Sequence, residues 1–270
     1  MNQKEIEKFR EVGKIASKIR KFVRTYIKEG MLLVDIARKI QKKIEEEGAI
    51  CAFPVNLSID DLAAHYHPAP DEETKASGLL KVDIGVAKDG YIADTALSLD
   101  LTKDKKYKEI IESSELALKN VIELLKENPT IHEIGEKIQK TIESKGFSPI
   151  INLSGHSIER YNIHAGIAIP NYGNNNESRL QPGVYAIEPF ATSGEGKIYE
   201  GDTGNTYAII SEKMPRSQKA REIYEFVLEK YKTLPFSTRE IQDKFGPMSR
   251  LALKELENQD KCEPIKQFCD

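Results

Sequence analysis

A chain of 270 residues, 39% hydrophobic and 31% charged with both signs interspersed, has the length and composition of a globular protein with a sizeable core. Its formal net charge of −3 argues against a protein built mainly to bind DNA, and no apolar run reaches the roughly 20 residues that a membrane helix needs. Cys51, Cys262 and Cys269 form neither a metal-binding spacing nor a disulfide framework, which predicts a reduced, cytoplasmic setting.

The charged, amphipathic N-terminal segment has no apolar h-region, so it reads as a helix over about 3–29 and not as a signal peptide. The next helix belongs to an internal repeat. "DIARKIQKKIEEEGA" at 35–49 aligns with "EIGEKIQKTIESKGF" at 133–147, and eight of the fifteen positions are identical. Ile36, Ile40 and Ile44 match Ile134, Ile138 and Ile142 on one helical face, and Gly48 and Gly146 supply the C-caps. A further helix over about 104–127 precedes the second copy, and Thr130 with Glu133 makes its capping box. Each copy leads into a predicted strand carrying Asn-Leu-Ser, at 56–58 and 152–154. Two related helix-helix-sheet halves, about 1–100 and 101–211, are therefore expected to pack about a pseudo-two-fold axis with a site between them.

Between the two copies lies "KVDIGVAKDGYIADTALSLD", a predicted β-hairpin. A Lys88-Asp89 loop would set Asp83 opposite Asp94, and an Asp89-Gly90 loop would make them diagonal neighbours; in either register two like charges are held close, which is destabilising. After the second copy, "NLSGHSIERYNIHAG" carries His156 and His164, which could share a face in extended chain. "QPGVYAIEPFA" turns at Gln181-Pro182-Gly183 and would put Val184, Ala186 and Glu188 on one strand face. His132, in a helix first turn, reads as a solvated helix residue. Residues 212–257 are helical, with a Ser237/Glu240 capping box and a stop at Gly246-Pro247, and are expected to pack against the main body. Two aspartates, a histidine and a glutamate in strand-like segments of both halves suit Mn, Fe, Co or Zn, and a bridging carboxylate between two such ions could activate a shared water. Cations would turn the repulsion between Asp83 and Asp94 into coordination.

"KVDIGVAKDGYIADTA", "GHSIERYNIHAG" and "YAIEPFA" together resemble the metal-binding motifs of the methionine aminopeptidases. The helical insert makes the chain look like their type II branch, in its archaeal-like form. The resemblance implies the α/β (α+β) pita-bread fold, with a catalytic body at 1–211, a type II-like helical insert at 212–257 and an atypical or truncated tail at 258–270. It implies an enzyme that removes the N-terminal Met of nascent polypeptides, at the ribosome in one reading; a monomer is expected because nothing in the sequence reads as a self-complementary interface. Two divalent ions are implied if the site is complete: Asp83 on one, Asp94 bridging, and His156 and Glu188 on the other. His65 and His164 would be catalytic and contact the scissile peptide, with Phe53 and Ile163 walling the methionine pocket.

The family pattern also has a fifth ligand, a bridging glutamate in a Gln-Phe-Glu-His stretch on a C-terminal strand. Here Gln267-Phe268 is followed by Cys269-Asp270. The expectations are a missing pair of last catalytic strands, an exposed sheet edge, and Asp270 or Glu263 as the candidate substitutes. A catalytically weakened or silent homologue that binds ribosomes or protein partners is the alternative; a related X-Pro peptidase ranks lower.

Overall fold

The computed structural model describes residues 1–270. Helices α1 (Gln3–Tyr26) and α2 (Leu33–Glu46) open the chain, followed by β1 (Ile50–Cys51), β2 (Asn56–Ile59) and β3 (Leu62–Ala64). The hairpin is β4 (Leu79–Lys88) and β5 (Tyr91–Asp100). The order then repeats: α3 (Lys108–Leu124), α4 (Ile131–Glu143), β6 (Ser148–Pro149), β7 (Ser154–Ile158), β8 (Ala168–Pro170), β9 (Val184–Ala186) and β10 (Ala191–Thr192). Last come β11 (Tyr199–Ile209), α5 (Gln218–Lys230), β12 (Phe236–Ser237), α6 (Thr238–Phe245), α7 (Ser249–Asn258) and β13 (Cys262–Cys269).

The repeated isoleucines do the same work in both halves. Ile36, Ile40 and Ile44 are fully buried in a core that joins α1 and α2 to Leu80, Val82, Ile84 and Val86 of β4. Ile134, Ile138 and Ile142 are buried with Ala117 and Val121 of α3 and Ile169 of β8. Gly48 and Gly146 follow the two helices with φ of 70° and 81°, a left-handed conformation that a residue with a Cβ adopts only at a cost. Thr130 caps α4 in the predicted box with Glu133.

The helices of the 212–257 stretch have no core of their own. Ile223, Tyr224, Val227, Ile241 and Leu256 are buried in one cluster with Phe53, Ala87, Ile92 and Ile158 of the sheets. His132 differs from its sequence reading: its Nδ1 accepts a hydrogen bond from the Asn175 amide at 3.0 Å, so the ring ties α4 to the loop before Arg179.

The tail corrects an expectation. Residues 262–269 return as an eight-residue strand, long enough at about 3.4 Å per residue to cross the sheet, and β13 pairs with β11 on one side and β3 on the other. The sheet order is β12-β11-β13-β3, so the sheet edge predicted to be exposed there is filled.

His67 sits behind this sheet, fully buried, with Nδ1 2.8 Å from the Val55 carbonyl oxygen and Nε2 without a partner. Burial, reinforced by the Arg239 charge, pushes its pKa down to about 3. The unfolded chain takes up that proton near pH 6.5 and the folded chain does not, so stability falls as pH drops from about 6.5 toward 3, by up to about 1.4 kcal/mol per unit. In urea unfolding between pH 6.5 and 5, His67→Gln should lose stability less steeply than the wild type by about 1 kcal/mol per pH unit. Parallel slopes would contradict the assignment.

Candidate active site

The hairpin loop is Asp89-Gly90, since Lys88 pairs with Tyr91. Both loop residues have positive φ, 54° and 83°, as a two-residue hairpin turn twisted to match its strands requires. Asp94 therefore pairs with Gly85 and Asp83 with Ala96, making the two aspartates same-face diagonal neighbours, the second of the two registers the sequence left open. On the other side of β4, Asn56 of β2 pairs with Asp83 and its Nδ2 donates to Asp83 Oδ2 at 3.3 Å. The absence of a side chain at Gly85 lets the Phe53 ring close in; a Cβ there would lie 2.5 Å from it.

The second half brings its groups from β7 and the segment after β9. His156 pairs with Ala168 of β8 and Ala186 of β9, two small neighbours that leave the imidazole free to extend. Strand β9 ends at Ala186, so Glu188 reaches the site from an irregular stretch ahead of Pro189 instead of from the predicted strand face. His156 Nε2 stands 3.5 Å from Asp94 Oδ2 and 3.2 Å from Glu188 Oε1. The ligand atoms of Asp94, His156 and Glu188 all lie within 4.8 Å of one another.

Electrostatics single out this spot. Burial first, then the charges of Asp94 and Glu188, push the Asp83 pKa well above the usual carboxylate range. Burial also raises Asp94, with the His156 hydrogen bond opposing. Burial works against a charged His156, yet hydrogen bonds to Asp94 and Glu188 outweigh it and push its pKa up to about 10. The carboxylates that favour a charged His156 would equally favour a bound cation.

The donor set fits a divalent metal. One imidazole with two carboxylates suits Mn, Fe, Co or Zn and leaves positions open for water and substrate. His156 Nδ1 lies 3.4 Å from the Ser157 carbonyl oxygen, and a ring that keeps its one proton there would offer the Nε2 lone pair to an ion in place of a proton.

The group opens into a cavity of about 1020 Å³ that all eight predicted site residues line: Phe53, His65, Asp83, Asp94, His156, Ile163, His164 and Glu188. The His164 ring stands edge-on to His156 at 4.3 Å between centroids, and His65 lies 4.6 Å from Phe268. His65 has φ of 63°, and its Nδ1 is 3.3 Å from the Lys266 carbonyl oxygen, so β13 holds it in place. Of β13 itself, Ile265 and Phe268 face the cavity. Cys269 Sγ packs over Gly201, and the Asp270 carboxylate accepts from the Thr192 hydroxyl, so neither Asp270 nor the exposed Glu263 lines the cavity as a substitute ligand. Asn56 is the residue the sequence reading passed over. Its signal was the shared Asn-Leu-Ser, taken only as a mark of the repeat.

The profile of metallopeptidase family M24 matches residues 7–199. The methionine aminopeptidase of Pyrococcus horikoshii is 40% identical over 258 residues, covering 94% of this chain and 87% of that protein. The chain belongs to the methionine aminopeptidases of family M24. The Methanocaldococcus jannaschii member is also 40% identical, over 93% of this chain and 85% of its own length. Among solved structures, a thermophilic Arx1 superposes with a TM-score of 0.79 at 17% identity, covering 100% of this chain and 85% of its own. The Rickettsia prowazekii methionine aminopeptidase gives 0.65 at 24%, over 74% and 84%. These neighbours share the pita-bread fold. As a family M24 member the chain is a metal-dependent peptidase, and no helix in it is long and apolar enough to cross a membrane.

Proposed function

We infer that this chain removes the N-terminal methionine from nascent proteins in the cytoplasm by metal-dependent hydrolysis of the first peptide bond. The observation that carries the reading is the convergence of Asp94, His156 and Glu188 from both halves on the wall of one cavity. Asp94, His156 and Glu188 would hold a divalent ion, which would supply Lewis acidity and a water of lowered pKa for peptide hydrolysis at neutral pH. The identity of the ion, and whether one or two are bound, belong to this proposal; Co, Mn, Fe and Zn all match the donors.

The remaining chemistry falls to side chains of this chain. In this reading His164, beside His156, donates to the carbonyl oxygen as it gains charge, and His65 holds the peptide beyond it; their position on the cavity wall supports these roles. Phe53 and Ile163 offer apolar walls to an unbranched, polarisable methionine side chain. Residues 1–211 would form the catalytic body, with 212–257 bracing the pocket through Phe53. Asp89 and Gly90 steady the rim: the Arg160 side chain donates to the Asp89 carbonyl oxygen and the Tyr161 amide to that of Gly90, each at 2.8 Å.

The test is release of Met from Met-Ala-Ser by metal-depleted protein resupplied with Mn²⁺ or Co²⁺. Turnover that depends on the ion supports the reading, and its absence from folded, ion-loaded protein refutes it. The pocket can be tested separately. Gly85→Ala, by forcing Phe53 aside, should cost about 1–3 kcal/mol of stability and raise KM for the same peptide. An unchanged KM would remove Phe53 from the methionine pocket.

A further inference from the structure

Five apolar residues of the cavity wall have no part in the chemistry described above: Ala64, Leu153, Phe190, Ile265 and Phe268. Each is only half-buried. Leu153, Phe190 and Phe268 pack against a small core of Ala63, Ile150 and Ile198, separate from the cluster that holds Phe53 and Ile163. The two apolar faces lie at opposite ends of β7. Leu153 precedes its first residue, while the turn closed by the Glu159–Asn162 bridge brings Ile163 back beside its last, Ile158. Five residues of extended strand separate Leu153 from Ile158, about 17 Å, so one side chain does not span both faces. His156 stands between them. The cavity of about 1020 Å³ also matches the upper end of clefts that enclose a whole drug-sized ligand, well beyond one thioether side chain. Asn152, the amide on the Leu153 side, is committed to backbone: Nδ2 donates to the Ile198 carbonyl oxygen at 2.8 Å and Oδ1 accepts from the Ile198 amide at 2.9 Å.

We propose that Leu153, Phe190 and Phe268, flanked by Ala64 and Ile265, form the subsite for the residue that follows the methionine, and that this subsite selects a large apolar side chain such as leucine. The inference rests on the aminopeptidase reading, in which the scissile bond lies at the Asp94-His156-Glu188 seat. On one side of that bond there is a single residue, held by Phe53 and Ile163 in that reading. The rest of the peptide leaves past the opposite wall. Phe190 comes two residues after Glu188 and Leu153 three before His156, so this wall begins at the seat itself. A peptide advances at most about 3.3–3.6 Å per residue, which keeps the first side chain past the bond within reach of it. The Phe268 ring stands 4.6 Å from that of His65, the residue that holds the peptide beyond the bond in the same reading. A large apolar side chain laid there takes hydrophobic surface of both partners out of water, whereas glycine or alanine leaves these rings wet.

The experiment uses the full chain, metal-depleted and reloaded with Mn²⁺, and measures kcat/KM for Met-Leu-Ser and Met-Ala-Ser on the same preparation. The ratio of the two does not depend on how much of the protein is folded. The wild type should favour Met-Leu-Ser by about 10- to 50-fold, the effect of burying the three further carbons of leucine. Phe268→Ala should cut that ratio by about 3-fold or more, because it removes the ring beside His65. Leu153→Ala should do the same from the other side of the wall, so the failure of one variant to fold leaves the test standing. A wild type that cleaves Met-Ala-Ser as fast as Met-Leu-Ser, or faster, overturns the inference while leaving the peptidase intact. A preference for leucine that is unchanged in both variants also overturns it. Hydrolysis of neither peptide by folded, Mn²⁺-loaded wild type refutes the peptidase reading, and this inference with it.

Discussion

Replacing His156 by alanine should lower kcat/KM for Met-Ala-Ser by about 10³-fold or more. His156 is the sole nitrogen donor of the seat, and the residues paired with it on both neighbouring strands are alanines, which offer no ligand atom. Without it Asp94 and Glu188 remain as two acids from different halves, too few to fix an ion against water. Losing Lewis-acid stabilisation worth several kcal/mol corresponds to about three powers of ten in rate. A second readout separates the loss of the ion from damage to the fold. Mn²⁺ at 100 times its Kd should stabilise the wild type by about 2.7 kcal/mol, and that increment should disappear in the variant. Full activity in His156→Ala, or an undiminished stabilisation by Mn²⁺, would place the metal elsewhere.

Much of this site was legible in the sequence because its parts lie in regular structure with local signals. The isoleucines of the two repeated helices announced two buried faces, and α2 and α4 bury those very residues. The hairpin was readable from Lys88-Asp89-Gly90, though its register was not. A one-residue shift in the turn changes which residue faces Asp83, and only the two positive φ values at Asp89 and Gly90 decide it. Glu188 was found through its motif although β9 stops before it, where the approaching proline ends the ladder. The tail was the hardest stretch to read. "CEPIKQFC" alternates poorly, contains a proline and is bulged, so its strand character comes from pairing with β11 and β3, which local pattern cannot foretell. Asn56 illustrates the other limit. Its contact with Asp83 spans 27 residues and exists only because β2 and β4 are neighbours.

Removing the imidazole of His164 should reduce kcat by about 10²–10³-fold while leaving the bound metal unchanged. The ring is edge-on to His156 yet outside the compact metal group, close enough to reach a carbonyl held there. Partial burial and the charge of His156, with that of His65 behind it, hold its pKa below the ordinary value. At neutral pH it is therefore an uncharged donor, which can stabilise developing negative charge without repelling the cation in the seat. The loss in His164→Ala should appear in kcat and kcat/KM together, because the bond it makes strengthens only as the oxygen gains charge. His164→Asn, which keeps an N–H donor on a shorter stem, should recover part of it. An effect confined to KM would make His164 a binding residue only. A fall in bound Mn²⁺ would make it a support for His156, and equal losses in the alanine and asparagine variants would remove the hydrogen bond from the account.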